Sequence, residues 1–520
     1  MTLGNAPKHE DLFRSSEQYC RGRLSATSLY QLLHEQGPTV FADESFADLF
    51  LTTGRRSVAP QIVATVMILQ RFEGLSDREA VERFEFDVRW KYASGVDLDY
   101  PSFVHTVLVD MRARLRNSEH PNRIFEATLQ MAKAAGLVGR KRVLDSTALY
   151  DAVATQDTVT LIRGSIRALL RLVDAELVAE LRGVLKRDDD YAGPGKPVCD
   201  WDDEVAREAL VDALARDAFA VLLVLDKREL TAEVAQAAAL IATVVGQDLE
   251  EREDGVFAIA RRVAPGRVIS VVDPDARHGH KTAARGFDGY KGHIALDPDS
   301  EIITATEVTA GNAGDASAAE TLLADLLLSG APDNIPQPAS DESLEVYGDA
   351  SYGTGDILET LQEAGIEPNV KVQPPVALEG RFSQGAFTID LDANTVTCPA
   401  GQLVQLRLSK DGEGRASFAE ACSACALREK CTKSESGRTV QVHPKHTLLD
   451  QARKRQRAPG WRTNYRATRP KVERKLAHLM RRKHGGRRAR VRGTLRVRHD
   501  FALLAASVNL ARLAKLRVAA

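Results

Sequence analysis

Along the first 140 or so residues, apolar positions recur at the spacing of helices. Pro60 opens the apolar run QIVATVMILQRF, where proline suits a first helical turn. Ser76 and Glu79 form a capping-box signature ahead of AVERFEFDVRWKYASG, and Gly95 supplies a stop. At residue 141 the pattern changes to a short β-branched run, KRVLDSTAL. The helical period returns between 160 and 262, in LIRGSIRALLRLVDAELVAELRGVLKR and DDEVAREALVDALARDAFAVLLVL, which the loop YAGPGKPVCDW separates. Strand patterns follow at RVISVVD, GYKGHIALD and EIITATEVTAG, the last two joined as a hairpin by the turn Asp297–Ser300. Then come a helix (DASAAETLLADLLLSG), a strand (LEVYGD), a helix (TGDILETLQEAG) and a strand (PNVKVQ). With RVLDST first, the order β-β-β-α-β-α-β predicts an α/β mixed sheet with helices against its faces. An apolar helix, FALLAASVNLARLAKL, closes the chain.

Charge changes this picture. The formal net charge of the 520 residues is only −2, yet Arg453–Arg498 holds 19 Lys or Arg and a single acid, Glu473. That window carries about +18, so the remainder sums to about −20. A basic segment on an acidic chain suits a polyanion, most often nucleic acid. In the N-terminal helices, Arg78, Arg83, Arg89 and Lys91 fit either a DNA-docking unit or a dimerisation and packing unit. The apolar runs, such as Ile62–Leu69, are too short to span a bilayer. MTLGNAPKHEDLF has no apolar leader core, so a cytoplasmic protein is expected. Six cysteines in this length argue against a disulfide scaffold.

The lone Glu473 in its basic surroundings poses a chemical question that two aspartates answer. Asp145 lies in the first strand and Asp349 ends the strand LEVYGD. Two carboxylates on neighbouring strands repel unless a cation lies between them. Mg²⁺ takes hard oxygen ligands, and paired ions clamp the attacking and leaving oxygens of a phosphodiester displacement. Glu473 would be the third ligand, with the bases around it holding DNA phosphates. Asp273 and Asp275, in VVDPDARHGH, compete with Asp145 for the first position, although Pro274 favours a turn there. Each acid also has a plainer reading: caps for Asp145 and Asp349, and a pairing with Arg469 or Arg474 for Glu473.

These residues resemble those of the DDE transposases of bacterial insertion sequences, which have an RNase H-like core. VLDST at Asp145, DGYKGHIALD at Asp288–Asp297, YGDASYG at Asp349 and YRATRPKVER at Tyr465–Arg474 carry the resemblance. GLSDREAVERFEFDVRWKYASG and HDFALLAASVNLARL add to it. The resemblance implies Asp145, Asp349 and Glu473 as ligands of two Mg²⁺ or Mn²⁺ ions. It implies that Tyr465 and Arg469, from a tyrosine–arginine–glutamate signature, contact DNA near the cleaved end. Arg474, and Arg481, Arg482 or Lys483 in place of the signature's later lysine, would contact DNA too. His278, His280, Lys281, Arg285 and Lys291 would line the DNA path. The implied reaction is hydrolysis at the element's ends, followed by attack of the freed 3′-hydroxyl on target DNA. Its partners would be double-stranded DNA, both terminal inverted repeats and target, and a second copy of the chain to synapse two ends. Localisation would be cytoplasmic, at the nucleoid. The rivals are another RNase H-like nuclease such as a resolvase, or a non-catalytic DNA-binding protein of transposase origin.

Tyr465, Arg469 and Glu473 are spaced four apart, so one continuous helix would present them on one face. Pro470 suggests instead that a helix begins there, with Tyr465 and Arg469 in its approach. Cys398, Cys422, Cys425 and Cys431 form a further motif, a lone cysteine followed by C-x2-C-x5-C. Four thiolates suit tetrahedral zinc; an iron–sulfur cluster and unligated thiols are the alternatives. The expected organisation is an N-terminal helical domain (1–140, for DNA binding or dimerisation), a catalytic core (141–160 and 263–375), a helical insertion (161–262), a Cys-rich insertion (376–450) and a basic C-terminal part of the core (451–520).

Overall fold

The computed structural model describes residues 1–5, 13–151, 155–189, 191–193, 195–226, 228–282, 284–327, 343–377 and 379–516. Its centre is a six-stranded mixed sheet: β1 (Lys141–Tyr150), β2 (Arg277–Thr282), β3 (Arg285–Leu296), β4 (Ile303–Ala310), β5 (Glu345–Gly348) and β6 (Glu367–Val370). The hydrogen-bonded order runs β2-β3-β1-β5-β6, with β4 also on β3. β3 pairs antiparallel with β1, β2 and β4, whereas β5 is parallel to both β1 and β6. Successive side chains of a strand point to opposite faces. Accordingly Val143, Ile294 and Tyr347 enter one apolar cluster, and Leu144, Ala295 and Val346 another on the opposite face.

The first face is covered by helices from both ends of the chain. α1 (Pro60–Glu73) is buried along most of its length, with proline at its start and Gly74 at φ 71° closing it. It packs on the long C-terminal helix, Thr494–Leu516, and both join the cluster that includes Val143, Ile294 and Tyr347. Arg71 of α1, 2% exposed, meets Asp500 at 3.2 Å and donates to the His484 carbonyl at 3.2 Å. The N-terminal helices therefore share one hydrophobic core with the sheet. The capping box at Ser76 and Glu79 forms as its residues dictate, and Gly95 adopts φ 66°.

Two other units have clusters of their own. Helices at Thr158–Leu170, Ala175–Val184, Glu204–Leu225 and Ala232–Asp248 pack around Leu161, Leu214 and Ile241. Two three-stranded sheets between Thr388 and Val442 pack around Val396, Phe418, Cys422 and Cys431.

Two predicted elements differ. RVISVVD, residues 267–273, is not a strand; it makes only an isolated bridge between Val268 and Arg277. Its polar groups find other partners: the Val271 N–H donates to the Gln156 side chain, the Ile269 carbonyl accepts from the Gln156 N–H, and Asp273 accepts from Tyr290. Those bonds replace a ladder. The helix expected from Asp315 is broken into Asp315–Ala318, Ala319–Leu322 and Ala324–Leu327, and its last residues, 328–330, lie outside the described residues. No helix among the described residues is long and apolar enough to cross a membrane.

Candidate active site

The parallel pairing of β1 with β5 aligns Val143 with Tyr347. Continuing that register by two residues sets Asp145 beside Asp349. Asp349 leaves the strand in a tight turn in which its side chain accepts from the Ser351 N–H at 2.9 Å. Asp145 is 9% exposed, in the middle of β1, and accepts from the Ser146 N–H at 2.9 Å.

The basic segment delivers its contribution through two consecutive helices, α2 (Pro459–Thr468) and α3 (Pro470–Leu479). Pro470 cannot donate a backbone hydrogen bond, so the first helix ends and the second begins around Arg469, which itself keeps helical angles. The approach to Pro470 is thus helical, and α3 packs over β1.

Arg469 is the hub. It is 6% exposed, and its guanidinium spans the Asp145 carboxylate at 2.8 and 3.1 Å. The same guanidinium lies 3.9 Å from Asp349 and 3.5 Å from Glu473. Three acids separated by 124 to 328 residues in sequence thus share one cation. Burial pushes the Asp145 carboxyl above the usual range; Arg469 opposes that push, and the charge of Asp349 adds to it. Burial works against the Arg469 charge as well, but Asp145, with Tyr465 and Asp349 behind it, turns the net shift upward and holds the guanidinium protonated. Glu473 is the exposed member, its side chain 62% accessible at the start of α3.

Around this hub lie residues that sequence reasoning did not single out. Asn464 of α2 donates to the Tyr347 hydroxyl at 2.9 Å. Trp461 stacks on Tyr465, with ring centres 4.7 Å apart, and the Lys371 ammonium sits 4.9 Å from the Tyr465 ring. On the other face of β1, Ser146 donates to Asp315 at 2.6 Å. His293, opposite Ser146 in the β1–β3 register, contacts Tyr352 and Thr309. Burial lowers the His293 pKa to about 4 despite the nearby Asp315 charge, so its ring is neutral. Burial, with the charges of Asp315, Asp145 and Asp349, lifts Tyr352 well above its ordinary value. In the sequence His293 stands inside the apolar strand run GHIAL, but nothing local tied it to Asp145.

The other predicted residues divide by partner. Tyr465 is buried, and burial pushes its hydroxyl up to about 12. Lys291 is paired with Asp315 at 2.8 Å, and Arg474 with Glu301. Lys281, Arg481, Arg482 and Lys483 are exposed and make no ion pair among the described residues; Lys483 lies over the Phe72 ring at 4.0 Å. His278 pairs with Asp288 at 2.7 Å. Asp273, the competing aspartate, is held by the Tyr290 hydroxyl (2.7 Å) and the Gly493 N–H (3.1 Å), outside the Arg469 cluster.

Cys398, Cys422, Cys425 and Cys431 all line one small cavity, with Phe387, Phe418 and Arg438. All four are free thiols. Burial pushes the Cys431 thiol up; Arg438 opposes this, and the other three cysteines reinforce it. Among the described residues, no three acids, histidines or cysteines stand at the spacing of a metal site.

Two family models match the chain. Residues 397–514 match a transposase DDE domain, and residues 19–114 match a transposase domain (DUF772). The first stretch includes the four clustered cysteines, Arg469 and Glu473; Asp145 and Asp349 lie outside both. Neither the curated proteins nor the solved structures yielded a match.

Proposed function

For a chain that belongs to the insertion-sequence DDE transposases, we propose that Asp145, Asp349 and Glu473 form the catalytic centre, and that it cleaves the element's ends and transfers them to target DNA. The convergence of these three acids on Arg469 carries the reading. The strand order β4-β3-β1-β5-β6 around it supports an RNase H-like core.

The donor set suits the group such enzymes use. Three carboxylates already gathered around a positive charge are hard oxygen ligands for Mg²⁺ or Mn²⁺. Bound there, two divalent ions would supply charge neutralisation at the phosphate and a lowered pKa for the attacking hydroxyl. The protein's own part is positional. β1 and the end of β5 fix the aspartates on a rigid sheet, and α3 brings Glu473 from the solvent side. Exposed Lys281, Arg481, Arg482 and Lys483 would hold backbone phosphates, which gives affinity without sequence preference. Arg474 and Lys291 would have to exchange their acidic partners for phosphates first. Tyr465, buried against β5, would act by holding the Asp349 turn. A second copy of the chain would be needed to bring two ends together.

The four thiols around one cavity support a structural zinc in the Cys-rich unit. Metal analysis of the purified protein tests this: one zinc per chain is expected, and an iron–sulfur absorption or a metal-free protein would overturn it.

The catalytic reading is tested by Mg²⁺-dependent cleavage of DNA carrying the gene's own flanking ends, with wild type beside Glu473→Gln. Cleavage at the element boundary by wild type only is expected. Equal cleavage by both would remove Glu473 from the centre. Binding with no cleavage by either would favour a DNA-binding protein without catalysis.

A further inference from the structure

Three carboxylates gathered within one site repel each other, and here a protein cation keeps them together. Arg469 bonds Asp145 through both terminal nitrogens, at 2.8 and 3.1 Å, and lies within 4 Å of Asp349 and Glu473. It is 6% exposed, so solvent does little of this neutralisation. Its third nitrogen, Nε, is buried and has no hydrogen-bond partner among the described residues. The residue also stands at the joint between α2 and α3, where Pro470 interrupts the backbone ladder and no side chain caps the second helix. A guanidinium with an unspent donor, at the joint of two helices, has a better-matched partner in a phosphate, which it can grip bidentately.

We infer that Arg469 is a resident counter-cation that fills the divalent-metal site of the DNA-free protein, and that a DNA phosphate drawing it off frees the carboxylates to hold metal more tightly. The inference rests on the metal reading above. It makes metal and DNA binding mutually dependent, since whichever arrives first removes part of the other's cost. The free protein would carry its acids neutralised but inactive, and the site would hold metal more tightly on DNA. Arg469 is in this sense a positioning residue, not a group that touches the reacting atoms.

The test is Mn²⁺ binding to the full-length protein, read from the spectrum of free Mn²⁺ with and without a duplex bearing the element's end. Without DNA, Arg469→Gln should bind Mn²⁺ about tenfold more tightly than wild type, the middle of the range for coupled sites. With DNA, wild type should gain about the same factor and the variant little. Reciprocally, Mn²⁺ should tighten DNA binding by wild type and leave that of Arg469→Gln nearly unchanged. Arg469→Lys keeps the charge but not the fork, and should fall between the two. Removing Arg469 also leaves Asp145 unpaired, so Mn²⁺ should raise the unfolding temperature of Arg469→Gln more than that of wild type. If Arg469→Gln does not fold, wild type and Arg469→Lys carry the comparison. Equal Mn²⁺ affinity of DNA-free wild type and the folded variants, or no gain by wild type on adding DNA, would overturn the inference. Failure of every protein to retain Mn²⁺, with DNA or without, would overturn the metal reading itself.

Discussion

The Tyr465 hydroxyl donates to the backbone carbonyl of Gly348 at 3.1 Å. Gly348 is the last residue of β5 and immediately precedes Asp349, so one hydrogen bond ties the basic helix α2 to the strand end that presents Asp349. Tyr465→Phe keeps the ring and its stack on Trp461 and removes only this bond. The expected loss in stability is about 1 kcal/mol, the net worth of one buried hydrogen bond. Cleavage should fall well beyond what that loss explains. Unfolding in denaturant beside single-turnover cleavage checks both, and wild-type cleavage would show that Asp349 needs no such tether.

The two ends of the Arg469 cluster should respond differently to neutralisation. Asp145 is buried and paired through two short contacts. Asp145→Asn leaves a buried guanidinium with less than its charge requires, and should cost about 2–4 kcal/mol. Glu473 is mostly exposed at 3.5 Å, so Glu473→Gln should change stability by roughly 0–1 kcal/mol, because solvent screens the pair. Both should abolish cleavage. Equal unfolding midpoints for the two variants would contradict this order.

Glu473→Gln should also bind DNA as tightly as wild type or slightly more so. It removes a negative charge from a segment that otherwise holds only bases among its ionised groups. A filter-binding series over salt concentration tests this; a marked loss of affinity would mean that Glu473 orders the DNA-contacting surface.

Lys475 gives a pH-dependent prediction. It lies on α3, 3% exposed, and burial lowers its pKa to about 8, with Glu301 opposing and Arg512 and Lys515 reinforcing the shift. Its folded value is thus below the ordinary lysine value. The folded state disfavours the charged form, so the cost is full below pH 8 and fades as pH rises toward the unfolded value near 10.5. Lys475→Met should stabilise the protein at neutral pH by up to about 3 kcal/mol, and the gain should shrink above pH 8. A gain independent of pH would assign the effect to packing alone.

In the Cys-rich unit, Cys422→Ala should lower the unfolding temperature and release the bound metal, if zinc fills the cavity shared with Cys398, Cys425 and Cys431. A chelator should reproduce the effect in wild type. Unchanged melting in both experiments would assign the four residues to ordinary packing.

The local elements were legible because their causes are local. Pro60, the Ser76–Glu79 box, the β3–β4 hairpin and the break at Pro470 each follow from a few adjacent residues. The strand expected at RVISVVD failed for the opposite reason. Its β-branched residues favour extension, but Gln156, 115 residues away, engages its backbone and Tyr290, 17 residues on, holds Asp273. Spacing also brought the four cysteines to attention, and they do line one cavity.

The sequence by itself determined which acids were worth watching, where the charge lay, and most of the sheet's elements, since period and turn chemistry are written along the chain. Only the tertiary structure decided what those acids face. Asp145, Asp349 and Glu473 come together through a parallel register and a helix laid over β1, and such long-range pairing leaves no trace in any short window. It also decided that Arg469, read from the chain as a DNA contact, sits buried among all three carboxylates. In a site of low dielectric, the nearest opposite charge outweighs a general attraction to phosphate.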